Sequence, residues 1–281
     1  MGLTIIILVV LAMFSGVDLA ISAQSSERSA ASLVAIANGG LPIILSAPHG
    51  GQEGIPGVSR RQGSGVERFN VGRDTRTDEL AEHVALELEK RLSAKPFGVT
   101  ARFERKYLDV NRSRDAAFES DAAKSHYETY HGALREFIQR VKSQWGGGLL
   151  LDIHGEGADA AAIYRGTQNG KTVRSLLQRF GAPALSGKHS VLGQMASKGY
   201  KVLPSNGDND KDKETRYLGG YIVQNYGSHQ ELGIDAIQLE FGSSLRSRAN
   251  LERTAMDLAQ SIEIFAREYL PKLKPDARPT P

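Results

Sequence analysis

The sequence has no cysteine. A disulfide-stapled scaffold, a thiolate metal site, a cysteine nucleophile and a lipid-modified cysteine are therefore all excluded. Charge of one sign is not in excess either. Lys+Arg 35 against Asp+Glu 32 leaves +3, and no run of five like charges occurs. That balance speaks against a dedicated nucleic-acid binder. Gly-x-Ser-x-Gly and Gly-x-x-x-x-Gly-Lys-[Ser/Thr] are missing too, so a serine-hydrolase elbow and a P-loop lack support. The 30 glycines follow no collagen period, and 40% hydrophobic residues exclude a disordered chain.

A long hydrophobic run occurs once, at the very start. Leu3 to Phe14 is nearly unbroken hydrocarbon. As a helix it would rise about 18 Å, short of the roughly 30 Å hydrocarbon core of a bilayer. Small residues at Ala20, Ser22 and Ala23 follow it. Residues 1–23 are therefore read as a secretory signal peptide, which implies a secreted or periplasmic protein. No stable membrane insertion is expected once the leader is removed. An uncleaved N-terminal anchor is the alternative, because no Lys or Arg precedes the run. Residues 24–39 read as a linker or frayed start, 40–272 as one domain, and 273–281 as a tail.

Within the domain, apolar strands alternate with amphipathic helices. Short buried strands are expected at 42–47, 148–154 and 236–241, and a weaker one at 99–103. Leu80, Val84, Leu88 and Leu92 recur at helical spacing over 77–92, with Thr77 as the expected N-cap. Further helices are expected over 121–145, 172–180 and about 247–269. Residues 50–72 form a long glycine-rich loop, and loops of that length usually carry function. Residues 181–234 give no clear pattern. The alternation predicts a single α/β domain around a mostly parallel or mixed central sheet with helices on both faces.

In open α/β sheets, ligands gather outside the carboxyl ends of the strands. Three of the expected strands end in a polar residue beside glycine: His49 in SAPHGG, His154 in LLLDIHGEG and Glu240 in IQLEFG. Two imidazoles and one carboxylate are the ligand set of catalytic zinc. The carboxylate is Asp74, at the start of the expected helix, or Glu53, in the glycine loop; composition does not choose. Asp152 shares a strand face with His154 by period-2 alternation, where it would either orient the imidazole or anchor a loop. Asp208 to Asp212 begins like a calcium loop, but Lys213 and Gly219 occupy positions that need glycine and glutamate. His126 and His131 fall on the long helix, where packing or a hydrogen-bonded core role is the default. His83, His189 and His229 show no partner pattern.

Taken in order, His49-Gly-Gly, Asp74-x-x-Thr77-x-Glu79-Leu-Ala, Arg105, Asp109-x-Asn111-Arg112, Asp152-x-His154-Gly and Gln238-x-Glu240 resemble the N-formylglutamate amidohydrolase family. More distantly they resemble the zinc carboxypeptidase fold. The resemblance covers about residues 40–270. It implies His49, Asp74 and His154 as ligands of one zinc ion, with Glu53 in reserve because 24 residues stand between His49 and Asp74. It implies Glu240 as general base, and Arg112, helped by Asn111 and Arg105, as the holder of a substrate carboxylate. Tyr221 would border the pocket. The implied activity is hydrolysis of an amide C–N bond in a small carboxylate-bearing substrate, N-formyl-L-glutamate at the family level. A γ-glutamyl or cell-wall-type peptide is the enzymatic alternative, and a non-catalytic secreted binding protein is the other.

Overall fold

The structure, a computed structural model, describes residues 33–205 and 213–270. Its frame is one seven-stranded sheet in the order β1-β3-β2-β4-β7-β5-β6. The strands are β1 (Val34–Ala37), β2 (Ile43–Ala47), β3 (Phe97–Ala101), β4 (Leu149–Glu156), β5 (Ala162–Gly166), β6 (Lys201–Leu203) and β7 (Asp235–Gly242). Strands β3, β2, β4 and β7 run parallel in the middle. β1 pairs antiparallel with β3, and β5 antiparallel with β7. The sheet is mixed around a parallel centre, with helices on both faces, as expected for this α/β chain.

The helices are α1 (Thr77–Leu92), α2 (Arg114–Ala117), α3 (Lys124–Trp145), α4 (Arg174–Phe180), α5 (Pro183–Ser186), α6 (Val191–Ser197), α7 (Tyr221–Tyr226) and α8 (Leu251–Tyr269). Strand alternation decides what each helix covers. Ile43, Leu45, Leu149, Leu151, Ile237 and Leu239 pack with α1, α6 and α8 on one face. Ile44, Leu150 and Ala236 pack with α3 and α7 on the other. That second face turns polar toward the strand ends. Ser46, Asp152 and Gln238 share one cross-strand row, and His154 and Glu240 share the next on β4 and β7. The period of two thus places one apolar and two polar rows on a single face.

Several expectations need correction. The span read as a linker or frayed start contains β1, an edge strand in register with β3. Thr77 is not the N-cap of α1: it is the first helical residue, preceded by Arg76 at φ 62. Its hydroxyl donates to the Asp74 carbonyl at 2.8 Å, so it bonds the turn before the helix rather than the helix's free N–H groups. Asp121–Ala123 is a 3-10 turn leading into α3, and α8 starts four residues later than expected, at Leu251. β5, β6, α5, α6 and α7 had no legible pattern. The leader at 1–23, Asp208 to Asp212 and the tail at 273–281 lie outside the described residues. Among the described residues no helix is long and apolar enough to cross a membrane.

Candidate metal centre and active site

His49 follows β2 directly, and the long loop after it returns so that the Asp74 N–H bonds the His49 carbonyl at 3.0 Å. That one bond closes a distance of 25 residues and brings Asp74 under the histidines. His154 sits near the end of β4. The Asp74 Oδ2 lies 3.3 Å from Nδ1 of His49 and 3.2 Å from Nδ1 of His154. One ligand atom from each of the three residues falls within 4.8 Å of the other two. Glu53, exposed and bridged to Phe103, is not in this cluster.

The far side of each imidazole fixes its chemistry. Nε2 of His49 is 2.8 Å from Asp109 Oδ1, and Nε2 of His154 is 2.8 Å from Asp152 Oδ2. Ionised carboxylates only accept, so each Nε2 carries a proton and each Nδ1 is the ring nitrogen that faces Asp74. Lone pairs do not converge on a carboxylate oxygen without a cation among them. A proton on one imidazole satisfies this partly, and Asp152 and Asp74 hold the pKa of His154 well above its ordinary value against the opposing effect of burial. A metal ion satisfies it fully. Ligands of tetrahedral zinc, at about 2.0–2.1 Å from the ion, stand about 3.3 Å from one another. The Asp74–histidine separations match that edge, and the outer carboxylates accept from the two Nε2–H groups, the arrangement typical of metal-bound histidine. The residues fit a divalent ion.

Asp109 and Asp152 are themselves held. Arg105 Nε donates to Asp109 Oδ2 at 2.8 Å, and the Asn111 N–H donates to Oδ1 at 3.0 Å. Ser46 donates to Asp152 Oδ1 at 2.7 Å and contacts the Tyr130 hydroxyl at 2.8 Å. Burial would raise the pKa of Asp74 and of Asp109, but the two histidines beside Asp74, and His49 and Arg105 beside Asp109, drive both below the usual carboxylate range. Glu240 is the contrast. Buried to 7% exposure, its carboxyl is pushed up to about 7, chiefly by desolvation. The Gln238 amide donates to Glu240 Oε1 at 2.7 Å, and Gln238 in turn accepts the Gly220 N–H at 2.6 Å. One carboxyl group poised near neutrality beside others that stay ionised is the pattern of a proton-transfer group.

No protein-family model matches the sequence, and no curated protein matches it. Solved structures do match the fold. The crystal structure of N-formylglutamate amidohydrolase from Ralstonia eutropha JMP134 is similar at 20% identity, over 83% of this chain and 94% of that one, with a TM-score of 0.55. A gene product from Agrobacterium tumefaciens is similar at 14% identity, over 86% and 97%, with a TM-score of 0.56. The chain has the fold of an N-formylglutamate amidohydrolase. At these identities the likeness concerns the fold, and the chemistry must come from the side chains.

Within this fold the His49–Asp74–His154 cluster lines an open cleft of about 890 Å³. Arg105, Asn111, Arg112, Tyr221 and Glu240 all line it. Their commitments differ. Arg105 bonds Asp109 through Nε alone, and its terminal nitrogens have no hydrogen-bond partner among the described residues. Arg112 places its terminal nitrogens on the carbonyls of Glu67 and Arg68, at 3.4 and 2.6 Å. It therefore braces the glycine-rich loop as well as facing the cleft. Asn111 accepts the Ile222 N–H at 2.8 Å and so anchors the start of α7. Tyr221 begins that helix at the cleft wall. Sequence reasoning named Asp109 and Gln238 only as parts of motifs, and assigned no role to Ser46 or Tyr130. Ser46 and Gln238 were legible, since each lies on a central strand in the same cross-strand row as Asp152. Tyr130, on α3, was not.

Proposed function

We propose that the protein is a metal-dependent amidohydrolase that cleaves an amide C–N bond in a small substrate carrying a free carboxylate. The observation that carries this reading is the convergence of two Nδ1 lone pairs and one carboxylate oxygen, with a desolvated glutamate on the neighbouring strand. His49, Asp74 and His154 would hold the ion, and zinc suits the donor set; when bound it would polarise the scissile carbonyl and lower the pKa of water. The chain's own groups do the rest. Asp109 and Asp152 keep the imidazoles in one tautomer. Glu240, aimed by Gln238, takes a proton from water and returns it to the leaving nitrogen. The free fork of Arg105 matches a substrate carboxylate with two parallel hydrogen bonds. Arg112 and Asn111 support that wall, and the Tyr221 hydroxyl would steady charge developing on the amide oxygen.

N-formyl-L-glutamate, hydrolysed to formate and glutamate, is the first substrate to assay, in keeping with the Ralstonia structure's name. A γ-glutamyl or cell-wall-type peptide is the second, favoured by the cleft: about 890 Å³ is far more than one acylated amino acid fills. The reading includes export, supported by the leader-like residues 1–23 and the absence of cysteine. Protein lacking that leader should contain about one divalent ion per chain by emission spectroscopy. It should release formate or a free amine from one of these substrates and stop after chelation. Glu240→Gln should keep the ion and lose turnover. Metal-free protein that binds carboxylates without turnover would instead identify a binding protein.

A further inference from the structure

Arg246 lies just beyond β7 and is buried to 6% exposure. No carboxylate lies within salt-bridge distance of it among the described residues, an unusual state for a buried guanidinium. Its donors go to three backbone carbonyls instead. Nε donates to Phe241 at 2.9 Å, one terminal nitrogen to Glu156 at 3.2 Å, and the other to Thr75. These carbonyls belong to the end of β7, the end of β4 and the turn that enters α1.

The three attachments converge on Asp74. Thr75 follows it in the chain. The Gly155 N–H donates to Asp74 Oδ2 at 3.1 Å, the same oxygen that faces both imidazoles. Gly155 also lies against the guanidinium so closely that a Cβ there would overlap it. The Arg246 side chain thus bonds the carbonyl of the residue after Asp74 and packs on Gly155, whose N–H meets the Asp74 oxygen. Its charge is also felt by Asp74, Glu240 and Glu156.

We infer that Arg246 is a positioning residue of the metal site, setting the Asp74 oxygen against His154 by tying Thr75, Glu156 and Phe241 together. The inference rests on the reading of His49, Asp74 and His154 as ligands. A lysine would keep the charge, but a single ammonium does not span three carbonyls held by a planar fork. Residues that orient metal ligands typically cost about 10–100-fold in metal affinity when changed.

The test uses zinc alone and chelator competition. Arg246→Lys should weaken zinc binding by about 10–100-fold. Gly155→Ala, which leaves the arginine in place but displaces its guanidinium, should shift affinity the same way and carries the test if Arg246→Lys does not fold. Amide exchange in metal-free protein gives a second readout. The Gly155 amide should exchange about tenfold faster in Arg246→Lys, while Leu258 and Ile262 in α8 keep their protection. Wild-type affinity in both variants would overturn the inference. Wild-type protein that takes up no zinc would overturn the metal reading, and Gly155 exchange would then decide Arg246 by itself: faster exchange sustains its hold on Asp74, unchanged exchange removes it.

Discussion

Asp109 is a carboxylate with both oxygens committed to different partners. Oδ1 serves Nε2 of His49 and Oδ2 serves Nε of Arg105. His49, the proposed ligand, and Arg105, the proposed holder of a substrate carboxylate, therefore hang on one buried group. Asp109→Asn keeps the shape but replaces one acceptor with a donor, so either His49 or Arg105 loses its partner. Zinc affinity should fall about 10–100-fold, and KM for a carboxylate substrate should rise with it. Chelator competition and steady-state kinetics on the same variant check both. His154 supplies a second prediction at this scale. Without metal its pKa stands well above the ordinary value, and ligation requires the neutral imidazole at Nδ1. Zinc binding at pH 7 should release a proton, visible as a calorimetric enthalpy that changes with the ionisation heat of the buffer. The residue pattern foretold the identity of these groups, but not their partnerships. Spacing brings Asp152 and His154 onto one face, whereas nothing in sequence places Asp109 beside a histidine 60 positions away.

Helix α3 shows how an element away from the cleft supports it. His131 bonds the Val110 carbonyl through Nε2 and the Tyr226 hydroxyl through Nδ1, both at 2.9 Å. It links α3 to α7 and to the segment between Asp109 and Asn111. Burial lowers its pKa to about 4. An unfolded histidine titrates near 6.5, so between about pH 6.5 and 4 the unfolded chain binds the extra proton, and stability falls as pH falls. The whole effect is about 3 kcal/mol, fully lost below pH 4. Asp74 and Asp109, with lowered pKa values, push in the same direction at lower pH. Denaturant titrations of His131→Gln should show lower stability at pH 7 but a shallower decline from pH 6.5 to 4. The sequence marked α3 as a long helix and gave this histidine a packing or hydrogen-bonded core role. Its partner, Tyr226 on the short helix α7, lay in a stretch without any legible pattern.

For the molecule as a whole, the metal reading predicts linked folding. Three segments separated by 25 and 80 positions meet at Asp74, so an ion that binds only the folded state stabilises it by mass action. Zinc at a thousandfold excess over its dissociation constant would add about 4 kcal/mol. Thermal unfolding with zinc and with chelator should differ accordingly, and His49→Ala should erase the difference.

What the sequence by itself determined follows from local periodicity. Short apolar runs bounded by glycine or proline marked β2, β4 and β7, the spacing of Leu80, Val84 and Leu88 marked α1, and a polar residue beside glycine fell near the end of each of these strands. Those signals sufficed to nominate His49, His154 and Glu240. Tertiary structure alone placed Asp74, and not Glu53, beside the two histidines. The decision turned on a backbone bond across a loop with no period of its own, and on Gly155 and Arg246 aiming a carboxylate oxygen. Long-range closure of that kind leaves no local trace, because its energy comes from contacts between segments rather than from the pattern within any one of them.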